Sequence, residues 1–168
     1  MTDARSFGGT LTADDFVAAQ TLHMRKWRKR QFALVVVVAI FGAALVRYGP
    51  PMLGVIVLGA GIGGGAGLLV LHAFKLPRAW KRLFGQQKSL HERFSYHWDD
   101  AGLHVATSLA QARRPWTHFT GFDEDARSIL LYHSDAMFEL IPKRWFAEAE
   151  SLDALRAEIS RHPFAART

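Results

Sequence analysis

The chain has 168 residues, 49% of them hydrophobic and 21% charged, values that by themselves suit an ordinary soluble domain. The pattern excludes that, because residues 32–74 contain a single charged side chain, Arg47, and the rest is long enough for only one further small domain. The net charge is +6, but residues 75–168 carry 14 basic against 12 acidic side chains. A nucleic-acid-binding face is therefore excluded.

The basic excess lies in two short clusters flanking the apolar stretch. Arg25, Lys26, Arg28, Lys29 and Arg30 precede it, and Lys75, Arg78, Lys81, Arg82 and Lys88 follow it. No cysteine is present, so a disulfide framework and a thiolate metal site are both excluded. About thirty mostly polar residues precede the apolar run, a spacing unlike that of a cleaved leader.

In chain order, residues 10–30 read as a helix. Thr12 and Asp15 have the spacing of a capping box, and Asp14 and Asp15 suit the positive helix end. Phe16, Gln20, His23 and Trp27 share one face. Residues 1–31 are thus expected to form a cytoplasmic, amphipathic, basic helix, resting on anionic headgroups or serving as a solvated lead-in.

Two spans follow, over about 32–48 and 51–74. The second is uncharged for 24 residues, about 36 Å of helix against a bilayer core of about 30 Å. The first is shorter and spans if Arg47 snorkels, with Trp27 and Tyr48 at the two interfaces. Gly49, Pro50 and Pro51 make the turn, Pro51 suiting the first turn of the next helix. One basic residue lies outside the spans and five lie on each inner flank, which places both termini in the cytoplasm.

Gly59-x-Gly61-x-x-Gly64 mimics a dinucleotide fingerprint, but no strand precedes it. The physical reading is close helix packing. Gly59, Gly63 and Gly67 share a helical face, with Ala39, Gly42 and Ala43 of the first span, or a second copy of the chain, as partner.

Leu76-Pro77 is expected to end the second span, and residues 75–88 to form a basic juxtamembrane linker. From about residue 89 the hydrophobic period becomes two. Phe94, Tyr96 and Trp98 alternate with polar residues, and residues 99–102 form a hairpin turn. Further strands are expected at 103–109, 115–122, 128–133 and 136–141, then a helix starting near Ser151 with Leu152, Leu155 and Ile159 on its inner face. The fold class is α+β: a transmembrane hairpin followed by a small antiparallel sheet domain, a pleckstrin-homology-like half-barrel capped by the last helix.

This order of parts resembles the YcxB-like family of bacterial membrane proteins. The resemblance is carried by 11–16 (Leu-Thr-Ala-Asp-Asp-Phe) with Leu22-His23, the two-span hairpin, Trp116-Thr117-His118-Phe119, and 140–146 (Leu-Ile-Pro-Lys-Arg-Trp-Phe). It implies the bacterial inner membrane and a cytoplasmic C-terminal domain similar to bacterial pleckstrin-homology-like modules. No established activity comes with it, so no functional residue is carried over.

The hairpin turn at 99–102 sets a register pairing Trp98 with Leu103, Tyr96 with Val105 and His97 with His104. The two imidazoles then share the outer face, where zinc would require a third ligand. His118 and His133 have no acid or nucleophile at a defined position beside them. The pairs Arg113-Arg114 and Lys143-Arg144 at strand ends are the candidates for contacting lipid or an acidic partner, while Trp145 and Phe146 are expected in the core.

The function expected is a membrane-anchored cytoplasmic binding or scaffolding module, not an enzyme, with no cofactor. Its partners are the bilayer, a membrane or cytoplasmic protein, or a second copy. The alternative is a metal-dependent membrane enzyme using the His97/His104 face.

Overall fold

The computed structural model describes residues 5–162 in full and the backbone of 165–166. It divides the chain into two units, one of residues 24–80 and one combining the segments before and after it.

The first unit is a helical hairpin of α2 (Arg25–Tyr48) and α3 (Pro51–Val70). The Gly49 N–H closes α2 on the Leu45 carbonyl at 2.9 Å, and Pro51 occupies the first turn of α3, as its missing N–H favours. Both helices are long and apolar enough to cross a membrane. Only 6% and 11% of their most apolar windows are buried, where a soluble core helix would be mostly covered.

Gly42, Gly54 and Gly61 form the packed seam. A Cβ on Gly42 would lie 2.7 Å from Leu58 Cα, one on Gly54 2.8 Å from the Leu45 carbonyl carbon, and one on Gly61 2.8 Å from Ala39 N. Only glycine allows so close an approach of two backbones. Ala39 and Gly42 do pack against the second helix, but on Gly61 and Leu58 rather than on the stripe expected to be their partner. Gly59, Gly63 and Gly67 do not join the seam, since a Cβ on any of them would meet nothing within 4 Å. At about 100° per residue they lie roughly opposite Gly61 on the helix, so one stripe packs and the other faces away.

Pro77 does not end the second helix. The chain passes through a π turn at Leu71–Lys75 and continues as α4 (Leu76–Gln86). A proline ring clashes with the carbonyl four residues back, and the wider π turn just before Pro77 relieves that clash without breaking the helix.

The second unit contains the sheets, and the N-terminal segment belongs to it. Instead of one basic helix over 1–31, the chain forms strand β1 (Ser6–Thr10) and helix α1 (Ala13–His23); the basic cluster starts α2. The capping box is present: Thr12 N–H donates to Asp15 Oδ2 at 2.8 Å, and Asp15 N–H to Thr12 Oγ1 at 3.2 Å. Strands β2 (Arg93–Asp99), β3 (Gly102–Ala106) and β4 (Gln111–Pro115) join β1 in an antiparallel sheet of order β1-β2-β3-β4. Trp98 pairs with Leu103, Tyr96 with Val105 and His97 with His104, the register expected. The β3 strand ends at Ala106, three residues early, because Thr107–Ala110 turn back on themselves through the Thr107 N–H to Ala110 carbonyl bond of 2.8 Å.

The strand expected over 115–122 is broken. Pro115 cannot donate to a ladder, and Trp116 starts a 3₁₀ turn (Trp116–His118) with its indole N–H on the Asp99 carbonyl at 2.8 Å. There the chain leaves the first sheet and enters the second, made of β5 (Gly121–Glu124), β6 (Ser128–Tyr132), β7 (Phe138–Pro142) and β8 (Ala165–Ala166) in the order β7-β6-β5-β8. Its β5–β8 pair is parallel. Helix α5 (Ala149–Arg161) begins two residues before Ser151, and Glu148, at its N-cap, makes no side-chain capping bond.

Strand β6 is buried on both sides. Ile129 and Leu131 face the main core, with Trp98, Leu103, Trp145, and Leu155 and Ile159 of α5. Leu130 and Tyr132 face Ala19 and Leu22 of α1. A strand covered on two faces reads as a continuous apolar run, which 129–132 is. His23 adds a polar tie, its Nδ1 lying 3.2 Å from the Tyr132 hydroxyl.

Candidate functional site

The hairpin register brings His97 and His104 side by side on the outer face of the first sheet, their rings 5.9 Å apart. In the same row, Arg113 of β4 lies opposite His104, and Ser6 of β1 opposite His97. Asp99 closes one end. Its Oδ1 accepts the N–H groups of Ala101 and Gly102 at 2.8 and 2.9 Å, and its Oδ2 lies 3.0 Å from His104 Nε2. Its slight burial would raise its pKa, but the hydrogen bonds from Ala101, His104 and Gly102 outweigh this and hold the carboxyl below its ordinary range. Gly102 is required by proximity, since a Cβ there would lie 2.9 Å from Pro115 Cα. A depression of about 280 Å3 opens beside the histidines, lined also by Ser95, Gln111 and Arg113. Among the described residues no group of three or more His, Cys, Asp or Glu is placed to hold a metal ion, so the metal-enzyme alternative lacks its third ligand.

A larger cavity of about 650 Å3 was not anticipated from sequence. Phe16, Leu83, Met137 and Phe138 provide its apolar lining, and Arg114, His118, His133 and Glu139 its charged or titratable groups. Glu139 is the hub. Its Oε1 accepts from Arg114 Nε at 2.9 Å and lies 3.2 Å from His133 Nε2, while Tyr96 donates to Oε2 at 3.4 Å. Burial, with the Glu139 carboxylate beside it, pushes up the Tyr96 phenol. His133 also stacks on Phe119 at 4.6 Å. His133 therefore does have an acid beside it. The expected hairpin at 128–141 placed His133 and Glu139 near one turn, but Arg114 and Tyr96 come from the other sheet, and no local signal joins them.

The four basic candidates separate by environment. Lys143 is mostly buried and pairs with Glu124 at 2.5 Å, also donating to the Asp125 carbonyl. Arg144 bonds Asp15 through Nη2 and Nε at 2.5 and 3.2 Å, and donates from Nη2 to the Thr10 carbonyl at 2.6 Å. These two tie the start of the 3₁₀ turn Lys143–Trp145 to β5 and to α1. Arg114 bonds Glu139 through Nε alone, and Arg113 is exposed and makes no ion pair among the described residues. Trp145 is buried in the core, as expected.

Fold and surfaces together define an α+β protein with an apolar two-helix hairpin and a small two-sheet domain whose concave surfaces are rich in hydrogen-bond donors. Residues 98–159, running from β2 through β7 into α5, match the family described as YcxB-like protein. No curated protein and no solved structure matches.

Proposed function

We propose that the chain is a membrane-anchored binding module of the bacterial inner membrane, with both termini cytoplasmic and no catalytic role. The hairpin anchors it, and the two-sheet unit engages an acidic group of a lipid headgroup or a protein partner. Two four-stranded sheets sharing one core with α5 support the reading of that unit as a pleckstrin-homology-like half-barrel. The Glu139 cavity carries the functional reading, because it combines an apolar lining with Arg114, whose Nη1 and Nη2 make no hydrogen bond among the described residues. Leu83 and Met137, 41% and 65% exposed, line it without being covered by the fold. Amphipathic surroundings around a guanidinium suit a ligand with an acidic end and an apolar body. The outward Gly59, Gly63 and Gly67 edge supports self-association as a further partner interaction.

The test is hydrogen exchange of the full chain in phosphatidylcholine nanodiscs, with and without phosphatidylglycerol, and with an added oligoglutamate peptide. Slowed exchange at 114–118 and 133–139 under either condition is expected, and its loss in Arg114→Gln. Unchanged exchange there in all conditions refutes the reading.

A further inference from the structure

We propose that the outer face of the first sheet carries a second binding site, for a phosphate group, built from His97, His104 and Arg113 with Ser95 and Gln111. The proposal rests on the reading of the chain as a binding module but concerns a surface separate from the Glu139 cavity. The argument starts from the register. His97, His104 and Arg113 lie opposite one another on β2, β3 and β4, and strands neighbour at about 4.8 Å, so the three extend over about 10 Å. One row further along the same face, Ser95 pairs with Ala106 and Ala106 with Gln111. Short side chains at Ser95 and Ala106 form the floor, and the longer His97, His104, Gln111 and Arg113 form the walls. That difference in reach produces the depression of about 280 Å3.

The lining chemistry selects the ligand. Hydroxyl, imidazole, primary amide and guanidinium all offer donors, and they converge from three strands. Asp99 is the carboxylate that faces this row, and its oxygens are already engaged by two backbone N–H groups and by His104. Asp99 Oδ2 engages His104 through Nε2 at 3.0 Å, which leaves Nδ1 for a ligand. Arg113, with no ion pair among the described residues, adds a charge with a planar fork of donors. A tetrahedral anion with several acceptor oxygens can bond donors on adjacent strands at once, whereas a carboxylate offers two coplanar oxygens. Besides these donors the depression is lined only by the small or branched Val105, Ala106 and Ala112, so it suits a compact polar anion of headgroup size.

The phosphate can come from a soluble phosphate ester or from a phosphomonoester lipid, and one experiment separates them. The full chain, with its histidines isotope-labelled, is placed in phosphatidylcholine nanodiscs and followed by NMR, the His97 and His104 signals being assigned by His97→Gln and His104→Gln. The probes are inorganic phosphate, glycerol 3-phosphate, and nanodiscs containing phosphatidic acid. Saturable shifts of His97 and His104 with the soluble probes, weakened about tenfold in Arg113→Gln as befits loss of one charge-assisted bond, support the site with a soluble source. Shifts confined to phosphatidic acid nanodiscs and reduced in Arg113→Gln support it with a lipid source. No shift with any probe overturns the proposal, as does an unchanged response in Arg113→Gln. Shifts with zinc or oligoglutamate but not with phosphate overturn it in favour of a metal or an acidic peptide. Arg113 is exposed, so its variant keeps the fold, which the remaining histidine signals verify. The Glu139 cavity is read through exchange at 114–118 and 133–139, so failure of either site leaves the other measurable.

Discussion

The hairpin seam offers a sharp comparison, because one substitution can be made on two faces of the same helix. Alanine at Gly54 or Gly61 puts a Cβ at 2.8 Å from backbone atoms of the neighbouring helix. Ordinary carbon contacts lie at about 3.5–4.0 Å, so the backbones must part by close to 1 Å, and a gap of that order forfeits a quarter to a half of each neighbouring contact's attraction. Overpacking of this kind costs about 1–3 kcal/mol. Alanine also improves helix propensity by about 0.8–1.0 kcal/mol over glycine. Gly63→Ala gains the propensity alone, since nothing lies within 4 Å of its Cβ. The difference between Gly61→Ala and Gly63→Ala cancels propensity and leaves the packing cost of about 1–3 kcal/mol, roughly a 5- to 150-fold change in the unfolding equilibrium. Denaturant titration of the full chain in micelles, followed by helical circular dichroism, reads it. Equal stability of the two variants would refute the assignment of the seam. Destabilisation by Gly63→Ala alone would mean that the outward stripe packs against a second copy.

Arg144→Ala removes the bonds to Asp15 and Thr10 that tie the 3₁₀ turn to α1, and a loss of about 1–2 kcal/mol is expected after discounting for partial exposure. A double-mutant cycle with Asp15→Asn should show coupling, and additive effects would mean that the pair contributes nothing. Burial would raise the Glu124 pKa, but bonds from Arg156 and Lys143 outweigh it and hold the carboxyl low; for Asp15, bonds from Arg144 and Thr12 do the same. A depressed folded-state pKa gives stability that is present above the unfolded value and lost as pH falls through the folded one. Thermal stability should therefore fall on acidification below about pH 4.5, and less steeply in Glu124→Gln, as melts followed by tryptophan fluorescence would register. Leu155→Ala empties a fully buried position of α5 in the main core and should cost about 2–5 kcal/mol, with the near-ultraviolet spectrum of the buried tryptophans reporting the loosened packing.

Local chemistry made much of the fold legible. The Thr12–Asp15 capping box, the Gly49–Pro51 break and the 99–102 turn each act within a few residues, so their geometry follows from residue type and spacing. The turn alone set the His97–His104 pairing, because period two in both strands carries a register along without further information. Long apolar runs were readable for the same reason, since composition over one helix determines whether it is apolar throughout.

What failed to read was decided at a distance. The strand Ser6–Thr10 carries three small residues and no strong alternation, and it exists because β2 offers it an edge. Pro77 has the chemistry of a helix stop, yet a π turn preceding it absorbs the clash. Gly59, Gly63 and Gly67 had the better motif, but the partner helix packs on the other stripe. Lys143 and Arg144 looked like free surface charge and are held by Glu124 and Asp15, the latter 129 residues earlier in the chain. Sequence by itself determined the apolar hairpin, the charge clusters beside it and the β-rich domain after it, since these depend on composition and short-range geometry. Tertiary structure alone decided which glycines touch, which cations are spent on internal pairs, and that Arg114, Tyr96, His133 and Glu139 meet. Contacts between the two sheets have no signature in either sheet's own period.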